Sequence, residues 1–239
     1  YYNQGDKLPS IVITNINTSI ASVLLPTLAS KQDDRKQLKN MTRRAIKTST
    51  YIIAPLMMGL AFCAPPIVRL ILTEKWVPCV PYLRIFCITY MFYPIHTANL
   101  NAINAMGRSD YFLKLEIAKK VIGMLLLLLT MRISVMAMAY SLLVSMVTSM
   151  VINSWPNKKL LKYSFIEQII DILPNIFIAI LMGGVVSTIY IFKLSDVMTL
   201  AIQIPLGAIV YIGLSIIFKI EEFQYLKNMA EEMLKIEKK

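Results

Sequence analysis

Charge is what this sequence has least of. Only 16% of its 239 residues are charged, 56% are hydrophobic, and the mean hydropathy is +0.60. Soluble globular chains sit near about 25% charged and about 45–50% apolar, so this chain departs in both directions. The few charges are also bunched. No Asp, Glu, Lys or Arg occurs in residues 8–30, 48–68, 85–107, 133–157, 172–192 or 197–218. These windows hold 21 to 25 residues each. At roughly 1.5 Å per residue a helix of that length reaches about 31 Å or more, enough for a hydrocarbon core of about 30 Å. A soluble domain is excluded, and the chain reads as a polytopic membrane protein.

Histidine and cysteine are nearly as scarce, with one His and three Cys. Cys63, Cys79 and Cys87 form no CxxC pair, and Cys63 and Cys87 lie inside apolar runs, where free thiols are inert packing. Cys79, near one interface, is the one placed to pair with another group. No metal or cofactor is implied. Walker A, GxGxxG, HExxH and Ser/His/Asp patterns are lacking, so no catalytic residue is assigned and the chain is not read as an enzyme. Carboxylates are lacking at mid-membrane depth, where ion-coupled pumps place them; Glu116 and Asp171 come closest, each about one turn inside a span end.

What is present sorts by position. Nineteen of the 25 basic residues fall in 31–47, 107–120, 157–163 and the tail, and Lys7, Arg69, Lys75, Arg84, Arg132 and Lys193 fall at the opposite span ends. A weaker run, 121–131, becomes a span if it begins near Leu115 and lets Lys119 and Lys120 snorkel. Seven spans result, at about 9–29, 45–70, 80–105, 114–131, 134–155, 170–192 and 196–218. Both basic groups then separate by the positive-inside rule, with an outside start and a cytoplasmic C-terminus. Helices are expected throughout, because barrel strands would alternate in polarity. The net charge of +11 therefore marks membrane topology, and no nucleic-acid partner is expected.

The chain opens at Tyr1 with Tyr2-Asn3-Gln4-Gly5, which reads as the exit from an earlier element, so the chain is expected to be the C-terminal part of a longer polypeptide. The 30–45 stretch reads as an interfacial helix, and 156–169 as an amphipathic cytoplasmic linker. The tail 219–239 reads as an amphipathic cytoplasmic helix.

Two spans are polar without being charged. Thr14, Asn15, Thr18, Ser19 and Ser22 share one face of the first, and Tyr93, His96, Thr97, Asn101 and Asn104 share one of the third, just after Pro94. These faces could line a wet cavity that binds a sugar or pyrophosphate, with Asn15, Ser19, Ser22, His96, Asn101 and Asn104 as candidates. They could equally hydrogen-bond between helices, at roughly 0.6 kcal/mol each. His96 alone reads as a packing histidine. Arg108 extends the third span's polar face by one turn and is the candidate for headgroup contact; Arg43, Arg44, Lys47 and Lys114 lie on the same side.

The runs Val23-Leu24-Leu25-Pro26-Thr27-Leu28-Ala29 and Lys31-Gln32-Asp33-Asp34-Arg35 resemble the bacterial polysaccharide (O-antigen type) flippases. These belong to the superfamily that also holds the multidrug/toxin extrusion (MATE) transporters. Pro55-Leu56-Met57-Met58-Gly59-Leu60, Glu74-Lys75-Trp76-Val77-Pro78 and Ala105-Met106-Gly107-Arg108-Ser109-Asp110 agree in order. Thr73 stands where these proteins usually carry Gly, and Ser134 to Ala139 lack the glycines common at that turn. The resemblance implies an all-α bundle and the bacterial cytoplasmic (inner) membrane. It implies that residues 1–155 form most of a second transporter lobe and 170–218 an extra two-helix pair, attached at its side with fewer contacts. The implied partners are an N-terminal lobe of the same polypeptide, membrane lipids and an undecaprenyl-pyrophosphate-linked oligosaccharide moved by alternating access. A MATE-type drug or cation exporter and a membrane polysaccharide polymerase are the alternatives.

Overall fold

The computed structural model describes residues 1–31 and 33–236. Gln32 of the Lys31–Arg35 run and residues 237–239 of the expected tail, with Lys238 and Lys239, lie outside the described residues. Among those described, regular structure is entirely helical: α1 (Tyr2–Ala29), α2 (Arg35–Phe62), α3 (Ala64–Leu72), α4 (Val80–Met91), α5 (Tyr93–Ala105), α6 (Ser109–Thr130), α7 (Val135–Leu161), α8 (Phe165–Ser187), α9 (Asp196–Ile217) and α10 (Glu221–Ile236).

The helices run past the charge-free windows. Residues 2–5 belong to α1. Gly5 is the reason they pack: a Cβ there would stand 2.8 Å from Tyr82 Cβ and 2.9 Å from the Leu83 backbone nitrogen, so α1 approaches α4 with only hydrogen between them. The 30–45 stretch is no separate interfacial helix either. Asp34 caps α2 by accepting from the Lys36 and Gln37 amides at 3.0 Å each, and α2 then continues through Arg43 and Lys47 into the apolar window. Likewise α7 runs through Pro156 to Leu161, and α8 opens at a capping box in which Ser164 and Glu167 bond each other's backbone.

Five of the described helical segments are long and apolar enough to cross a bilayer singly: Tyr2–Ala29, Arg35–Phe62, Val135–Leu161, Phe165–Phe192 and Asp196–Ile217. The 80–105 window is divided instead. Phe92 closes α4, and Pro94 in the first turn of α5 has no amide hydrogen to continue the ladder. Helix α6 carries Lys114, Glu116, Lys119 and Lys120, and Lys119 is buried in a pair with Glu116. The 45–70 window is broken at Cys63, after which Pro65 and Pro66 start α3.

Helix α2 is the hub. Ile46, Ile53 and Met57 are fully buried, and α2 lies against α1, α4, α5 and, most extensively, α8. The expectation that the last two spans attach loosely is corrected for α8; α9 packs mainly on α8 and α3. Side chains turned outward, such as Leu129 on α6 and Ile204, Ile209 and Ile217 on α9, are two-thirds exposed or nearly so. Ranks of large apolar groups on this scale need lipid rather than water.

Between α3 and the turn at 74–79, Thr73 has φ 78° and ψ 166°. A β-branched residue in that region costs on the order of 1–3 kcal/mol, and this is the position where the resemblance leads one to expect glycine. Thr73→Gly is expected to raise the unfolding free energy by about 1 kcal/mol, after the extra backbone freedom of glycine in the unfolded chain is subtracted. Denaturant or thermal titration of the purified protein in bicelles measures this. No gain would mean that the turn relaxes without glycine.

Candidate functional site

The polar residues of α1 divide between two directions. Asn15 Nδ2 donates to the Ile11 carbonyl at 3.0 Å, Ser19 Oγ to Asn15 at 2.9 Å and Ser22 Oγ to Ser19 at 2.9 Å, so these exposed side chains are answered by their own helix backbone. Asn15 and Ser19 line a groove of about 770 Å³ whose other walls include Ser49 and Ile52 of α2 and Tyr225 and Leu226 of α10. Thr14, Asn17 and Thr18 turn instead toward Tyr90 and Tyr93, around a smaller hollow of about 220 Å³. Asn17 Oδ1 there accepts from Thr97 of α5 at 2.7 Å.

The candidates on α5 do not turn to the same groove. His96 Nδ1 lies 2.7 Å from Asn153 Nδ2 of α7. Asn101 is half-buried with its Nδ2 unpartnered, and Asn104 is exposed. Within the groove, therefore, only Asn15 and Ser19 of the six come together, with Ser22 one turn along α1.

A buried polar cluster between α5, α7 and α8 escapes the sequence reading. Asn99 Nδ2 donates to Gln168 Oε1 at 2.7 Å and to Ser154 Oγ at 3.3 Å, while Asn99 Oδ1 accepts from Asn157 Nδ2 at 2.6 Å and from Gln168 Nε2 at 3.1 Å. All four residues are at most 1% exposed. Asn153, Ser154 and Asn157 recur at i, i+1 and i+4 in an otherwise apolar run, the one signal that could have found them. These bonds run between three helices and fasten them together, leaving Asn157 Oδ1 as the one buried atom of the four side chains without a partner.

The basic end of the bundle holds the charged chemistry. Arg43 of α2 grips Asp171 of α8 through Nε at 2.8 Å and Nη2 at 2.6 Å, and Tyr163 Oη donates to the same carboxylate at 2.8 Å. Burial and this bond push the Tyr163 phenol well above its ordinary range. Lys47 meets Glu221 at 2.7 Å and Glu222 at 2.9 Å, and Arg44 stands 4.7 Å over the Tyr225 ring. These side chains surround a pocket of about 540 Å³ next to the groove. Arg108 spends its charge locally, on Asp110 at 3.0 Å and over the Tyr111 ring at 4.5 Å. Gly107 supplies the positive φ of the turn before it. Carboxylates at this end are held below their ordinary range: Glu167 chiefly by the Ser164 amide, Glu221 chiefly by Lys47, and Asp110 chiefly by Arg108. Their contribution is present at neutral pH and fades as pH falls through those lowered values. Among the described residues no group of three or more His, Cys, Asp or Glu could hold a metal ion.

Residues 1–81 match a family described as "Polysaccharide biosynthesis protein". The teichuronic acid biosynthesis protein TuaB of Bacillus subtilis is 22% identical over 218 residues, covering 89% of this chain and 45% of that protein. An uncharacterized membrane protein in the cps region of Klebsiella pneumoniae is 35% identical over 75 residues, 31% of this chain and 16% of that protein. The lipopolysaccharide biosynthesis protein WzxC of Escherichia coli is 25% identical over 118 residues, covering 49% and 24%. In fold, the lipid II flippase MurJ in an inward closed conformation superposes with a TM-score of 0.70 at 20% identity, over 91% of this chain and 47% of that one. The chain thus spans less than half the length of each of these proteins. In sequence this multi-pass helical chain is similar to bacterial polysaccharide biosynthesis proteins, and in fold to the lipid II flippase MurJ.

Proposed function

We propose that this chain is part of a transporter that flips an undecaprenyl-pyrophosphate-linked oligosaccharide across the bacterial cytoplasmic membrane by alternating access, a transport rather than a catalytic role. The observation that carries this reading is the exposed, uncharged polar face of α1, standing on a fold shared with a lipid-linked substrate flippase. Asn15, Ser19 and Ser22 would offer hydroxyl and amide groups to sugar, which needs hydrogen bonds without the cost of burying a charge. Helices 1–155 would form most of one lobe, with the α1–α2 groove turned toward a first lobe in the same polypeptide. His96, Asn101 and Asn104 would act from within that lobe, His96 by holding Asn153 in place. In this reading the basic end is cytoplasmic, and α4 with α5, and α6 with its Lys119–Glu116 pair, complete seven crossings.

Two measurements test it. Single cysteines at Asp34 and Lys159 should be labelled only from the cytoplasm, and one at Lys193 only from outside. Opposite labelling of Asp34 and Lys159 would remove the α6 crossing. Asn15→Leu with Ser19→Val, both exposed, should then lower export of lipid-linked sugar about tenfold while leaving the protein's membrane abundance unchanged, because each side chain serves only its own helix. Unaltered export would place the sugar path elsewhere.

A further inference from the structure

Helix α10 is fastened to the bundle by very little. It touches α2 and α9 at a few points, with Phe223 and Leu226 partly buried against the core. The junction from α9 is a tight turn in which Lys219 takes φ 49° and the Ile220 amide bonds the Ser215 carbonyl at 2.9 Å. What remains is charge: Lys47 with Glu221 and Glu222, and Arg44 over Tyr225. Glu222 is only 8% exposed at its side chain, so this carboxylate has been taken out of water to meet Lys47.

The balance of the pocket is informative. With α10 seated, the lining cations Arg43, Arg44 and Lys47 are matched by Glu221 and Glu222 in the same lining and by Asp171, which holds Arg43 from outside it. With α10 away, only Asp171 remains, and two positive charges stand unanswered beside an open pocket and groove. Two is also the charge of a doubly esterified diphosphate, each phosphoryl carrying one negative oxygen at neutral pH. A lysine paired to two adjacent carboxylates presents the geometry that two adjacent phosphoryl groups would meet.

We propose that Glu221 and Glu222 are the internal competitor of a diphosphate group for Lys47, with Tyr225 covering Arg44 beside them, so that α10 leaves the groove when a lipid-linked diphosphate arrives and returns when it departs. The proposal rests on the transport reading above for its ligand, and it adds a regulated step that the reading does not contain. A seated α10 balances the charge at the pocket and walls one side of the groove next to Asn15 and Ser19 with Tyr225 and Leu226. An arriving diphosphate opens the same space by taking the cation that holds the helix.

The test is amide hydrogen exchange of residues 221–231 in the full chain, held in nanodiscs of phosphatidylcholine. Farnesyl diphosphate, a monoester that offers the same two adjacent phosphoryl groups with one more negative charge than the doubly esterified group, should raise α10 exchange about tenfold, with inorganic pyrophosphate and phosphatidylglycerol as separate arms, while exchange elsewhere in the bundle stays constant. Glu221→Gln with Glu222→Gln should show fast α10 exchange without any anion, and should bind farnesyl diphosphate about fivefold more tightly. Lys47→Met should also free α10, but bind the diphosphate about tenfold more weakly. Unchanged α10 exchange at saturating diphosphate, or unchanged affinity in the double Gln variant, would overturn the exchange mechanism. Full release by phosphatidylglycerol alone would overturn the lipid-linked source in favour of bulk membrane lipid, and release by pyrophosphate alone would show that the headgroup suffices. Normal sugar export by a Lys47→Met protein that has lost diphosphate binding would keep the competitor and remove the transport role.

Discussion

Asn99→Leu is expected to destabilise the bundle by about 2–3 kcal/mol, among the largest single effects in the chain. The substitution removes the acceptor of Asn157 and Gln168 and the donor to Ser154 and Gln168, at sites that are at most 1% exposed. A buried polar group without a partner costs about 1–3 kcal/mol. The total stays below the sum because fallback partners exist. Asn157 keeps the Asn99 carbonyl at 3.2 Å, Gln168 Nε2 keeps the Tyr163 carbonyl at 3.4 Å, and Gln168 Oε1 keeps Ser154 at 3.0 Å. Denaturant titration of the purified protein reads the loss. Adding Gln168→Leu should cost less than the two single changes together by about 1 kcal/mol, since both act on one network. Strict additivity would show that the two side chains stabilise independently.

Arg43→Met should cost a similar amount, about 2–4 kcal/mol, and for a different reason. It leaves the Asp171 carboxylate 5% exposed with only the Tyr163 hydroxyl to answer it. Breaking a buried pair costs about 3–5 kcal/mol; half of the Arg43 side chain already faces solvent, which lowers the figure. Arg43→Met combined with Asp171→Leu should recover most of the loss, because the stranded charge goes with its partner. Recovery of less than about a third would assign the stability to Arg43's aliphatic packing instead. The same titration, run on both variants, separates the two cases.

The sequence made the apolar helices legible because a bilayer punishes charge over a long window, and absence of charge is easy to read. It made their ends less legible. Helices α1 and α2 continue well outside the windows, since Gly5 packs against α4 and Asp34 supplies a cap, and neither contact leaves a mark in local hydropathy. Pro94 was visible, yet what it does, dividing one window into α4 and α5, depends on backbone geometry. At the candidate site the basic residues Arg43, Arg44 and Lys47 could be placed on one side, but the carboxylates that meet Arg43 and Lys47 lie 128 and 174 positions away. The direction of Asn15 and Ser19 against that of His96 was illegible for a related reason. A polar arc tells which face of a helix is wet, not which neighbour stands there. Thr73 is the converse case: an unexpected side chain marked a backbone position whose strained φ the structure then displayed.

The hub position of α2 also has a consequence in time. Its polar groups at the basic end and mid-length find their partners late: Arg43 with Asp171 across 128 positions, Tyr51 with Ser215 across 164. A ribosome adding about 5–20 residues per second delivers Asp171 roughly 6–26 s after Arg43. Throughout that interval the nascent α2 sits in the bilayer without the polar partners that α8 and α9 bring, so a chain stalled before residue 170 would present an unsatisfied helix to membrane proteases. Assembly, more than the finished bundle, is where the cell would notice a slow or shortened C-terminus.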